Sequence, residues 1–250
     1  IDDTIAFVKL EPFESALLAD GEFDTPIEQI SGTRRVVVAE GHLVRRPWDL
    51  VDLNSELLVQ DFSQRAKSGG KANLGQVAVL GEPEMVYVDP SAEIDPFVVI
   101  DARGGPVYID AGAKVQAFTR LEGPVFIGRQ SQLFRANVKA GTTVGPVCRI
   151  GGEIESSIIH GYSNKYHDGF LGHSYVCPWV NLGALTTNSD LKNNYSEVRV
   201  PLSGTPIDTG STKIGSFIGD HTKTALCSLF NTGSSIGVMT MLLPGGELLP

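Results

Sequence analysis

The sequence predicts a mainly β protein: a parallel β-helix of hexapeptide repeats, preceded by a small α/β segment and a connector helix. Three observations carry this. Aliphatic residues return every six positions, as Val88, Ile94 and Ile100, then Ile109, Val115, Leu121, Ile127 and Leu133, then Val138, Val144 and Ile150. After an irregular patch the register resumes at Val176 and Leu182, and later as Ile218, Thr224, Phe230, Ile236 and Leu242. Gly, Asp, Pro and Ser crowd the positions between. A period of six fits neither the helical repeat nor strand alternation. Each hexad lays down one short strand and one corner, three make a coil, and stacked coils bury an aliphatic column that no hexad buries alone. An ordinary sandwich would alternate over longer strands, with turns at less regular intervals.

In chain order, 1–45 is read as a small α/β segment, 46–87 as a helix and linker, and 88–250 as the β-helix domain. Thr4–Leu10 is expected as a strand, Glu14–Ala19 as a short helix and Arg35–Ala39 as a strand. From Arg46 to Phe62, apolar Trp48, Leu50, Val51, Leu53, Leu57, Leu58 and Phe62 recur at helical spacings, with Pro47 suited to a first turn. Ser63–Gln76, rich in Lys, Gly, Ser and Ala, reads as a linker. The chain begins at Ile1 rather than Met and stops at Leu249-Pro250 after a hydrophobic run, which suits a piece of a longer protein.

Composition narrows the function. The net charge of −9 argues against nucleic acid or anionic membrane as a partner, both of which need a basic surface. Three dispersed cysteines without CxxC indicate neither a disulfide framework nor a thiolate zinc site, and suit a cytoplasmic setting. No signal peptide is expected, and no run of apolar residues reaches membrane-spanning length. Ser31-Gly-Thr-Arg-Arg35 lacks the glycine-rich approach that would cradle a phosphate.

Ionisable and aromatic groups concentrate in the patch from Ile154 to Phe170, where the rhythm breaks. His160, His167 and His173 fall in or beside it. Six residues apart, His167 and His173 would point from successive faces and could share a metal only across a subunit interface. No metal is expected. Three roles stay open: ligand, surface hydrogen-bonding group, and general base. Cys177, between Val176 and Pro178, reads as filler rather than nucleophile.

The run His167-Asp-Gly-Phe-Leu-Gly-His-Ser-Tyr-Val-Cys-Pro-Trp-Val-Asn181-Leu-Gly-Ala184 resembles the acetyltransferase domain of bifunctional N-acetylglucosamine-1-phosphate uridyltransferase/glucosamine-1-phosphate N-acetyltransferase. The shared pattern is a histidine, aromatic-Leu-Gly, and Asn-aliphatic-Gly-Ala beginning fourteen residues after the histidine. Gly161–His167 and Thr187–Tyr195 resemble more closely a divergent bacterial branch of sugar nucleotidyltransferase-like proteins. The resemblance covers roughly 43–250, and the Arg46-Pro-Trp-Asp-Leu helix resembles that branch's connector, which implies that 1–45 is part of an incomplete N-terminal nucleotidyltransferase-like domain and 88–250 the acyltransferase domain. It implies a left-handed β-helix, a homotrimer with its site between subunits, and acetyl-CoA as donor to an amino-sugar phosphate. Trp179, Tyr175 or Tyr162 would then lie near a subunit contact.

Carried over residue by residue, His167 would be the general base toward the sugar amine. Asn181 would bind the sugar or position the thioester, and the Ala184 amide would face the developing oxyanion. Lys139 matches a phosphate-gripping arginine. Phe170 stands where the family has a sugar-phosphate-contacting tyrosine, and Glu155 where it has a phosphate-binding lysine. Lys165, Lys192 or Arg199 would then compensate, with Asn194 and Tyr195 on the same loop as Lys192. Two other readings are a non-catalytic β-helix that trimerises a nucleotidyltransferase, and a metal hydratase like the gamma-class carbonic anhydrases, which share this architecture.

Overall fold

The computed structural model describes Val8, Leu10, Glu11, Glu14, 24–35, Val37, 41–65 and 75–243. The expected elements at Thr4–Leu10, Glu14–Ala19 and Arg35–Ala39, and the middle of the expected linker, lie wholly or largely outside these residues. The chain divides into two compact units, 1–45 and 46–250. In the first, helix α1 runs over Asp24–Gly32, a helix the sequence pattern did not indicate, and Arg34 pairs with Glu14 at 2.6 Å.

The second unit is a helix, α2 (Pro47–Arg65), and a left-handed parallel β-solenoid of hexapeptide-like repeats. Pro47 opens α2, and the Asp49 carboxylate accepts from the Arg46 N–H at 2.9 Å, which supplies a partner at the helix start. Trp48, Val51, Asn54 and Phe62 form its buried stripe. Trp48 meets Phe217 edge-on, and Phe62 meets Tyr108. Between them Asn54 donates to Gly141 O at 2.7 Å and accepts from Thr143 Oγ1 at 2.9 Å, so α2 is pinned across one face of the solenoid.

Among the described residues strands begin at Ala78, ten residues earlier than the hexad pattern indicated, and every strand pairing within the solenoid stack is parallel. Three inward columns result. On the first face Val88, Ile109, Ile127, Val144, Ile159, Val176, Ile218 and Ile236 stack in register. On the second, Ile94, Val115, Leu133, Ile150, Lys165 and Leu182 do so, with Thr224 and Leu242 above. On the third the order is Val79, Ile100, Leu121, Val138, Ile154, Leu171, then Asn188 and Phe230. Most of the aliphatic members are essentially inaccessible, as burial of one continuous column requires.

The patch from Ile154 to Phe170 is therefore not a break in the coil. The inward steps there are four and five residues long (Ile150 to Ile154, Ile154 to Ile159), and the next inward position holds a lysine. Both hide the six-residue rhythm. The true excursion comes later: Val176 pairs with Ile218, a step of 42 residues against 17 from Ile159 to Val176. The extra chain carries an antiparallel hairpin, Arg199–Leu202 with Thr205–Asp208, whose Val198, Val200 and Ile214 pack with Trp48 and Phe217. No described helix is long and apolar enough to cross a membrane.

Candidate functional site

The 17-residue coil between Asn164 and Asn181 determines which residues meet. Asn164 bridges Asn181, so Lys165 lies under Leu182 and His167 under Ala184, at the corner between the second and third faces. The Leu185 N–H donates to Asp168 O at 3.0 Å, which ties the two corners together. Ala184 O accepts from Cys227 N at 2.8 Å, while the Ala184 N–H has no acceptor among the described residues. Asn181 faces outward three residues before that corner, its Oδ1 accepting from Asn164 Nδ2 at 2.8 Å. His167, Ala184 and Asn181 thus share one edge of the solenoid. His167 is exposed, touching the Tyr166 ring edge-on, and Tyr166 in turn leans on Phe134.

Lys139 sits at the other end of the third face. Its ammonium contacts Glu153 at 2.5 Å and Glu155 at 3.2 Å, and Lys213 approaches Glu155 at 3.4 Å. The Glu153 hydrogen bond, outweighing partial burial, raises the Lys139 pKa. Burial works to raise the Glu155 pKa, but Lys139 and Lys213 outweigh it and hold the carboxyl below its ordinary value. The acid that would repel a sugar phosphate is thus countered by two lysines, and Lys213 was not among the groups expected to do so.

The three groups expected to compensate behave differently. Lys165 points into the core rather than toward a ligand, 4% exposed, between Ile150 and Leu182. That corrects its expected role as a substrate contact: an inward position in a coil has no path to a bound phosphate. Lys192 donates to Glu197 O at 2.6 Å within its own loop, and Arg199 pairs with Asp208 at 2.6 Å across the hairpin. Asn194 Oδ1 accepts from the Ser196 N–H, a local turn contact, and Tyr195 stands 71% exposed. Phe170 faces outward on the third face, in register with Glu153 and close to Gly172.

One pair escaped the sequence pattern. His173 Nδ1 meets Asp190 Oδ2 at 2.7 Å, both side chains largely buried. Asp190 follows His173 by 17 residues, the length of the local coil, so coil length was the signal that could have found it. Burial tends to raise the Asp190 pKa, but the His173 hydrogen bond and charge lower it overall. At the first-face edge Tyr162, Trp179 and His221 stack as an exposed ladder, with ring centroids 4.6 and 6.1 Å apart. Tyr175 does not join them; its hydroxyl bonds His160 Nε2 at 2.7 Å. Burial lowers the His160 pKa, against the opposing charge of Asp220. Among the described residues no group of three or more His, Cys, Asp or Glu side chains is placed to hold a metal ion.

No protein-family model matches the chain. Over 219 residues, 84% of the chain, it is 29% identical to a bifunctional sugar-1-phosphate nucleotidylyltransferase/acetyltransferase of Sulfurisphaera tokodaii. The chain is related to the hexapeptide-repeat acetyltransferase and nucleotidyltransferase superfamily. It spans about half of that relative, 47% of its length.

Proposed function

We propose that this chain is the acyl-transfer part of such an enzyme, moving an acetyl group from acetyl-CoA to the amine of an amino-sugar phosphate. The observation that carries the reading is the stacking of His167 under Ala184, with Asn181 on the same edge. Acyl transfer to an amine needs a base, an oxyanion donor and two ligands held in line. His167, exposed and with no carboxylate hydrogen-bonded to it among the described residues, takes the proton as the amine attacks the thioester carbon. The Ala184 N–H, free of an acceptor among the described residues, faces the oxyanion as charge develops there. Asn181 orients the sugar or the thioester. The thiolate of coenzyme A leaves, and the proton gathered by His167 returns to solvent or to that thiolate. The edge lies open to solvent, which suits a site completed by a neighbouring copy in a homotrimer.

Titration calorimetry with acetyl-CoA and glucosamine-1-phosphate, separately and together, tests donor and acceptor. His167→Ala is expected to lower kcat by roughly 10²–10⁴ with acetyl-CoA affinity intact, and His173→Ala by less than about tenfold, since His173 lies at the other end of the face. Equal activity of wild type and His167→Ala would remove the assignment. A second reading, in which this solenoid only assembles a nucleotidyltransferase into a trimer, is favoured by Lys139 being held by Glu153 and Glu155 rather than directed at a phosphate. Acetyl-CoA binding separates the two, because the scaffold has no use for it.

A further inference from the structure

The corner that carries His167 is wider than the one beneath it. From Ile150 to Ile154 the inward positions are four residues apart, with Gly152 (φ +73°) making the turn. One coil up, from Lys165 to Leu171, they are six apart. Tyr166, His167 and Asp168 therefore overhang the Gly151-Gly152 turn. Pairing between these coils stops at Lys165 and restarts at Phe170, so the strand ladder does not bind the overhang to the coil below. Backbone carbonyls left in such a gap need donors.

The donor is Lys165. Its Nζ gives hydrogen bonds to Gly151 O at 3.0 Å, in the lower coil, and to His167 O at 2.9 Å, in the overhang itself. Gly152 leaves space for the ammonium, and Gly151 for the overhanging backbone. A Cβ on Gly152 would lie 2.9 Å from Nζ, and one on Gly151 would overlap the Tyr166 carbonyl oxygen. Burial drives the Lys165 pKa down to about 8, with the nearby Asp168 charge opposing the fall. An aliphatic side chain would fill this inward position at no such electrostatic cost, as Ile150 and Leu182 do on either side. The ammonium does what they cannot: it bridges the two coils at the residue read as the base.

We infer that Lys165 is a positioning residue, whose buried ammonium fixes the overhanging corner and so holds His167 in one orientation beside Ala184. Its catalytic consequence rests on the reading of His167 as general base; its structural content does not. The test uses the full chain with ¹³C-labelled histidine, comparing wild type, Lys165→Met and, as a control in the same column, Leu182→Met. The His167 ring signal, assigned by its loss in His167→Ala, is expected to be single in wild type and in Leu182→Met, but split or broadened in Lys165→Met. With acetyl-CoA and the accepted amine, kcat of Lys165→Met is expected to fall roughly 10- to 100-fold with the acetyl-CoA KM unchanged, as a small misplacement of a reacting group would give. A single His167 signal at the wild-type shift in Lys165→Met overturns the inference, and so does a loss confined to KM. Should Lys165→Met not fold, Lys165→Gln, which keeps a donor without the charge, is read by the same signal. The two proposals fail separately: an active His167→Ala removes the base, while the ring signal reports on positioning alone.

Discussion

Replacing Lys165 by methionine has a consequence for stability that can be worked from the structure. Methionine keeps the length of the side chain in the column between Ile150 and Leu182 and removes the ammonium. A pKa that falls from the ordinary 10.5 to about 8 corresponds to about 3 kcal/mol of unfavourable burial of the charged form. Below pH 8 the amine is protonated in both states and the penalty is present in full. Between about pH 8 and 10.5 the folded amine is neutral while the unfolded one still binds a proton, so stability rises with pH. By pH 9.5 about 2 kcal/mol of the penalty is relieved. A comparison at one pH is ambiguous, because methionine also leaves the carbonyls of Gly151 and His167 without a donor, at roughly 1–3 kcal/mol. The difference between pH values is not ambiguous. Urea unfolding of wild type and Lys165→Met at pH 7.5 and 9.5 should show wild type gaining about 2 kcal/mol on the variant over that interval. Parallel pH dependence within about 0.5 kcal/mol would refute the argument, since water would then be reaching the ammonium through the corner.

Other outcomes follow from equally local features. Asn54→Ala removes both contacts that pin α2 at Gly141 and Thr143, and is expected to cost about 1–3 kcal/mol in urea unfolding; a change near zero would mean that the helix is held by Trp48 and Phe62 alone. Gly151→Ala forces a methyl into the Tyr166 carbonyl and is expected to lower the melting temperature by several degrees or more, because the obstacle is backbone. Cys227, exposed, should be alkylated by iodoacetamide in the native state, whereas Cys148, with its thiol pushed by burial up to about 11, should react only after unfolding. Peptide mass spectrometry of the labelled chain reads both at once.

The inward columns were legible because an aliphatic residue at every sixth position suits neither a helical stripe nor an alternating strand, and Val88, Ile109, Leu121 and Ile150 all occupy the places that spacing gave them. What the pattern concealed has two physical causes. Where coils shorten, as from Ile150 to Ile154, the period changes although the stacking continues, so a real coil looked like an interruption. Where an inward residue is polar, as with Lys165 and Asn188, hydrophobicity misleads. Asn188 satisfies its own amide inside the stack, accepting from Gly172 N at 2.9 Å and donating to Gly172 O at 3.0 Å. The stacking around His167 was hidden for a related reason. His167 and Asn181 are fourteen apart in any register, but that His167 lies under Ala184 follows only from a local coil of 17, which also brings His173 to Asp190. Coil length is set by corner geometry, and one sequence shows that only weakly.

The excursion between the coils has a practical meaning for anyone handling this protein. From Val176 to Ile218 the stack closes across 42 residues with its register intact, so the rungs above and below do not depend on how far the chain wanders between them. Doubling a flexible loop costs only about 0.6 kcal/mol in closure entropy. The wandering chain includes a two-residue hairpin turn, Ser203-Gly204, both at positive φ, with open space around Gly204. The hairpin behind that tip is braced by Val200 and Ile214 against Trp48. It is the natural anchorage for a fluorophore, an affinity tag or a grafted peptide: a handle on the side of the solenoid whose burden the stacked coils would not feel.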